Sequence, residues 1–141
     1  MFTCTRIFEF DAAHRIIGHP GLCKMLHGHR YKAEITFGAE KLDKLGMVID
    51  FQTVKNKVND WLFKNWDHNT ILSKSDKKLG DFIEEYTGQK VFYLDDNPTA
   101  ENMANHLLFK VCTKIFNSER VFCKKIRLYE TPNCFTVVKA F

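Results

Sequence analysis

Three histidines carry the most chemical information in this chain. His27 and His29 form a His-x-His pair, and the two-residue period of a strand puts both imidazoles on one face. His14 ends an earlier alternating segment, in which Phe8, Phe10, Ala12 and His14 share a face and Glu9 and Asp11 take the other. If the two segments pair, three imidazoles converge on one point. Three neutral nitrogens around an open position are the donor set of a catalytic zinc site. The same spacing also suits ordinary core or surface histidines, since His-x-His recurs by chance. His19, in a loop, and His106, off the apolar stripe of its helix, read as solvated.

Cys23 precedes His27 by four positions, in the loop that delivers the His-x-His strand. A thiol near a dication or an imidazole deprotonates more easily, and its thiolate can act as base or nucleophile. As a fourth ligand it would instead close the site around a structural metal, and as a plain loop thiol it would be inert. Asp67-His68 places a carboxylate beside an imidazole, which raises the basicity of the ring where the two meet, although such a step usually means nothing. Glu130 ends a strand whose same-side neighbours are apolar. It is paired, or faces solvent, or receives a ligand, and a planar ring with adjacent N–H donors suits a carboxylate well.

The elements that must position these groups follow from periodicity. His27, His29, Tyr31, Ala33, Ile35 and Phe37 share a face of a second strand, opposite Arg30, Lys32, Glu34 and Thr36. With the first segment this makes a long antiparallel pair joined by a wide loop containing Gly18, Pro20 and Gly21. Asp50 caps a helix whose stripe is Phe51, Val54, Val58, Trp61, Leu62 and Asn65. A weaker helix holds Leu79, Phe82, Ile83 and Tyr86 and closes at Gly88, and Val91 to Leu94 reads as extended. The clearest helix carries Ala100, Met103, Ala104, Leu107, Leu108, Val111 and Ile115, capped by Asn97 with Pro98 or by Thr99. Two strands close the chain, with Phe122, Ile126, Leu128 and Glu130 on one face of the first. The order predicts an α+β fold, an antiparallel sheet with helices on one face.

Composition sets the outer limits. The 141 residues carry no repeat or linker and read as one domain, 1–141, with 45% hydrophobic content and 27% charged residues. A net charge of +4 is too mild to imply nucleic acid but suits a small anionic substrate. No apolar run approaches the length of a membrane span, and the N-terminus lacks the regions of a signal peptide. Five cysteines (Cys4, Cys23, Cys112, Cys123 and Cys134) without Cys-x-x-Cys spacing suit reduced thiols in the cytoplasm.

Taken together, the motifs resemble the 6-pyruvoyl-tetrahydropterin synthase and 6-carboxytetrahydropterin synthase superfamily. The matching pieces are Phe10 to Arg15, Cys23 to His29, Gly46 to Phe51, Asp67-His68-Asn69, Asn97 to Asn102, and Leu128 to Pro132, in the family's order from Phe8 to Pro132. The resemblance implies the tunnelling fold, four antiparallel strands carrying two helices between the hairpins. It also implies a homohexamer built as a dimer of trimers, with active sites at subunit interfaces. It implies zinc on His14, His27 and His29, Cys23 as proton acceptor, His68 as its relay partner with Asp67 in support, and Glu130 as pterin anchor and catalytic member of the charge relay, with Thr131 also at the pterin. The implied substrate is 7,8-dihydroneopterin triphosphate. The three residues between Cys23 and His27 look like the 6-carboxytetrahydropterin synthase of queuosine biosynthesis, where tetrahydrobiopterin-branch enzymes have a longer gap and a folate-branch variant carries Glu for Cys. Two departures stand out. Trp66 precedes Asp67-His68 where the family often has Leu, and the stretch from Ser73 to Asp96 is longer than in compact members. The rival within the family is the pyruvoyl-forming synthase, and the rival from another class is a non-catalytic zinc- or pterin-binding module.

Overall fold

β1 (Phe2–His14) and β2 (His27–Ala39) pair antiparallel along their whole length, from Phe2 opposite Ala39 to His14 opposite His27. The computed structural model describes residues 1–141. Alternation decides the burial: Phe8, Phe10, Ala12 and His14 on β1 and Tyr31, Ala33, Ile35 and Phe37 on β2 are all buried on one face. β5 (Phe122–Thr131) adds to β2 and β6 (Cys134–Lys139) adds to β5, both antiparallel.

The expected sheet of four antiparallel strands is extended to six. β3 (Asn69–Ser73) lies parallel to β1, and β4 (Val91–Leu94) lies parallel to β3, giving the order β4-β3-β1-β2-β5-β6. A short buried run, Thr70 to Leu72, made β3 hard to see as a strand. The long stretch after Ser73 is the crossover that a parallel pair requires. It contains α2 (Lys77–Thr87), which ends at Gly88 in the left-handed conformation, φ 71°.

This crossover also corrects the expectation that all helices share one face. Ile71 and Leu94 join the main core, whereas Leu72 and Val91 pack with Ile83 of α2 in a separate small cluster. Because strand side chains alternate, α2 covers the opposite face of the sheet at that end. Gly80 of α2 makes the approach possible: a Cβ there would lie 1.9 Å from the Tyr93 hydroxyl.

The other helices cover the main core. α1 (Phe51–Asn65) starts at Asp50, whose carboxylate accepts from the Gln52 and Thr53 N–H groups, and buries Val54, Val58 and Leu62; Phe51 of the expected stripe is exposed. α3 (Ala100–His106) is capped by the Thr99 hydroxyl, continues as π-helical turns over Leu107–Cys112 and ends with Thr113–Ile115. Two details differ from the strand and helix patterns. A register shift opposite Thr36 and Phe37 places Cys123, rather than Phe122, on the core face. His106 is half-buried rather than fully solvated: its ring packs against Trp61, Trp66 and Phe92, and partial burial lowers its pKa. No helix is long and apolar enough to cross a membrane, and all five cysteines are free thiols.

Candidate active site

The β1–β2 register brings the three histidines together. His14 and His27 are direct cross-strand partners, and His29 follows on the same face. Their rings meet edge-on, with centroids 4.7 Å (His14–His27), 5.1 Å (His14–His29) and 4.8 Å (His27–His29) apart. Glu130 arrives from the end of β5, and the four donor atoms all lie within 4.8 Å of one another. Tyr31, stacked on Phe10, forms the floor beneath His14 and His29.

Backbone carbonyls set the tautomers. His14 Nδ1–H donates to the Pro98 carbonyl at 2.7 Å, and His27 Nδ1–H donates to the Met25 carbonyl at 2.6 Å. Both rings therefore turn Nε2 into the cluster, the arrangement that carbonyls impose on metal-ligating histidines. The Tyr31 hydroxyl lies 3.2 Å from His14 Nδ1, and burial pushes its pKa up, so it stays a neutral phenol. Burial also lowers the pKa of His14 and of His29, keeping both rings neutral, as metal coordination requires.

These donors fit a dication. The two Nε2 atoms of His14 and His27 face each other across 3.2 Å, where two lone pairs repel unless a cation lies between them. Zinc–nitrogen bonds of about 2.0–2.1 Å at a tetrahedral angle separate their nitrogens by about 3.3 Å. His29 Nε2 is buried and makes no hydrogen bond; Glu130 Oε1 is 2.9 Å away but outside hydrogen-bond direction. A buried polar atom left in this way marks a position for a partner.

The second group forms where α1 gives way to β3. His68 Nδ1 lies 3.0 Å from Asp67 Oδ1, and Asp67 Oδ1 accepts the Asp11 N–H at 3.0 Å. His68 N–H donates to the Asp11 carbonyl at 2.7 Å. His68 sits at φ 59°, the one residue other than glycine in the left-handed region, a strained conformation that concentrates at functional sites. Its side chain is 77% exposed. A polar cleft of about 360 Å³ lies beside it, lined by Asp11, His29, Arg30, His68, Asn69 and Gln89.

Cys23 is a member of neither group. It is half-buried in the short 3₁₀ turn Leu22–Lys24, and its carbonyl accepts the Ile16 N–H at 2.8 Å. Thr131, next to Glu130, uses its hydroxyl within the β5–β6 turn, accepting from the Asn133 N–H and lying 3.0 Å from Cys134 Sγ. Sequence reasoning missed Asp11, which links Asp67 and His68 to β1 and pairs with Arg30 at 2.8 Å. The opposite charges of Asp11 and Arg30 at facing register positions were the available signal.

Comparison with known proteins adds an independent line. A sequence model of the family described as 6-pyruvoyl tetrahydropterin synthase matches residues 3–140. A protein of Rickettsia bellii named 6-carboxy-5,6,7,8-tetrahydropterin synthase is 53% identical over 138 residues, covering 98% of this chain and all of that protein. A Haemophilus influenzae protein of the same name is 30% identical over 140 residues, covering 96% of each. Among solved structures, an uncharacterized protein of Wolinella succinogenes superposes with a TM-score of 0.81 at 20% identity, covering 99% of this chain and 98% of that one. The 6-pyruvoyl tetrahydropterin synthase of Caenorhabditis elegans does so with a TM-score of 0.71 at 22% identity, covering 99% and 96%.

Proposed function

The chain belongs to the 6-pyruvoyl tetrahydropterin synthase family, and on that premise we propose that it converts 7,8-dihydroneopterin triphosphate and water to 6-carboxy-5,6,7,8-tetrahydropterin, acetaldehyde and triphosphate. The observation that carries the reading is the set of three imidazoles whose ring nitrogens converge, with Glu130, within 4.8 Å of one another. The relatives' names and the short Cys23-to-His27 spacing favour the carboxy product over the pyruvoyl one and the queuosine branch as its place of use.

His14, His27 and His29 would hold zinc. Bound there, the ion supplies Lewis acidity toward the hydroxyls of the substrate side chain. Cys23, as thiolate, removes a proton from that side chain, and proton return to the ring gives the tetrahydropterin level. His68, supported by Asp67, relays the proton. Glu130 accepts the N–H donors of the pterin ring, with Thr131 beside it. Cys23 lies outside both clusters and His68 is exposed, so the proposal takes the relay His68 from a second copy. This supports a homohexamer with active sites at subunit interfaces, working among the reduced thiols of the cytoplasm.

A second reading comes from Glu130 itself. Its carboxylate is close enough to all three imidazoles to serve as a fourth ligand, which would close the centre and leave a binding module. Product analysis with 7,8-dihydroneopterin triphosphate separates the readings. Acetaldehyde with the carboxypterin supports the proposal, a pyruvoyl pterin replaces its product, and no turnover by metal-loaded hexamer overturns it. Cys23→Ala should keep zinc and lose about 100- to 10,000-fold in rate, the usual contribution of a general base. Loss of zinc in that variant would make Cys23 a ligand instead.

A further inference from the structure

We infer that Asn97 is a positioning residue that couples the metal ligand His14 to the proton acceptor Cys23. This rests on the reading that the histidines hold a metal and that Cys23 accepts a proton.

The Asn97 side chain grips the backbone of Ile17 from both sides. Its Oδ1 accepts the Ile17 N–H at 3.0 Å, and its Nδ2 donates to the Ile17 carbonyl at 2.9 Å, across eighty positions of sequence. This is a paired contact with the backbone of the segment that leaves β1. The segment's next bond, Ile16 N–H to the Cys23 carbonyl at 2.8 Å, sets where the Cys23 turn sits.

The same residue also fixes the carbonyl that orients His14. The Asn97 carbonyl accepts the Thr99 N–H at 2.8 Å, a tight turn about Pro98, and accepts Asn102 Nδ2 at 2.8 Å. Thr99 in turn caps α3. The turn therefore has a rigid base, and it aims the Pro98 carbonyl at His14 Nδ1. The bonds from Thr99 and Asn102 use the Asn97 backbone carbonyl; the side-chain clamp on Ile17 then anchors this turn, with its Pro98 carbonyl, to the loop carrying Cys23. The amide supplies the acceptor and the donor of the Ile17 clamp on two separate atoms, where a carboxylate has acceptors only. Arg15 adds a strut on the other side through its two-pronged pair with the buried Asp76, but that pair touches neither Pro98 nor Cys23.

The test measures zinc affinity of the metal-free protein by chelator competition, together with kcat and KM, for wild type, Asn97→Ala, Asn97→Asp and Asp95→Ala. Outer-sphere partners of ligating histidines are typically worth 10- to 100-fold in metal affinity or activity. Asn97→Ala is expected to lose zinc affinity by about 10-fold or more and to lower kcat more than it raises KM. Asn97→Asp keeps the acceptor but not the donor and should fall between. Asp95→Ala removes only the surface pair with Lys74 in the same loop and should match wild type. If Asn97→Ala lowers melting temperature but leaves zinc affinity and kcat at wild-type values, the positioning role is overturned. Equal losses in Asp95→Ala would also overturn it, by showing a general effect of loop loosening. If Asn97→Ala does not fold, wild-type properties in Asn97→Asp would refute the clamp. A wild-type protein without zinc affinity would instead sink the metal reading on which the inference rests.

Discussion

Zinc should stabilise the folded chain, and removing His27 should abolish most of that effect. The free nitrogens of His14 and His27 already stand 3.2 Å apart, close to the edge of about 3.3 Å that a tetrahedral zinc imposes. Binding therefore needs little rearrangement. A ligand that binds only the native state at about 1,000 times its Kd stabilises by about 4.1 kcal/mol. Unfolding entropies near 2.1 cal/mol/K per residue give about 0.3 kcal/mol/K for 141 residues. The melting temperature should then rise by about 14 °C. The assay is scanning calorimetry of chelator-treated protein with and without zinc at fixed free concentration, alongside His27→Ala. A wild-type shift within error of zero would refute the reasoning. So would an equal shift in His27→Ala, because zinc would then be acting elsewhere.

Other outcomes follow from separate parts of the structure. Glu130→Gln should keep about one zinc per chain while raising KM for the pterin; loss of zinc by metal analysis would make Glu130 a ligand. Gly80→Ala should destabilise the protein by about 1–3 kcal/mol, the usual cost of overpacking, because its Cβ would meet the Tyr93 hydroxyl at 1.9 Å; an unchanged denaturation midpoint would contradict the close packing of α2. The half-buried His106 has a folded pKa below its ordinary value, so the unfolded chain takes up the proton first. Its effect on stability is absent well above pH 6.5 and becomes an increasing penalty as the pH falls below that, levelling off beneath the folded pKa. Denaturation midpoints at pH 8 and pH 5 should show wild type losing more stability than His106→Leu, and equal losses would rule the histidine out as the cause.

The sequence by itself determined the groups that strand alternation controls. Once β1 and β2 were seen to alternate, His14, His27 and His29 had to share the buried face, and the Asp50 cap and the apolar stripes placed α1 and α3 in the same way. These are local periodicities, and each residue's neighbours in sequence suffice to show them. What lies between elements was decided only by tertiary structure. β3 carries no usable alternation because both its faces are buried, one by the main core and one by α2, so it and the parallel crossover were invisible. The same holds for His106, which an amphipathic pattern assigns to solvent but which the packing of Trp61, Trp66 and Phe92 partly covers. The tautomers of His14 and His27 rest on carbonyls of Pro98 and Met25, and every residue but its side chain contributes the same carbonyl. Side-chain type therefore cannot reveal which carbonyl will orient a ligand; that depends on where the folded backbone brings it.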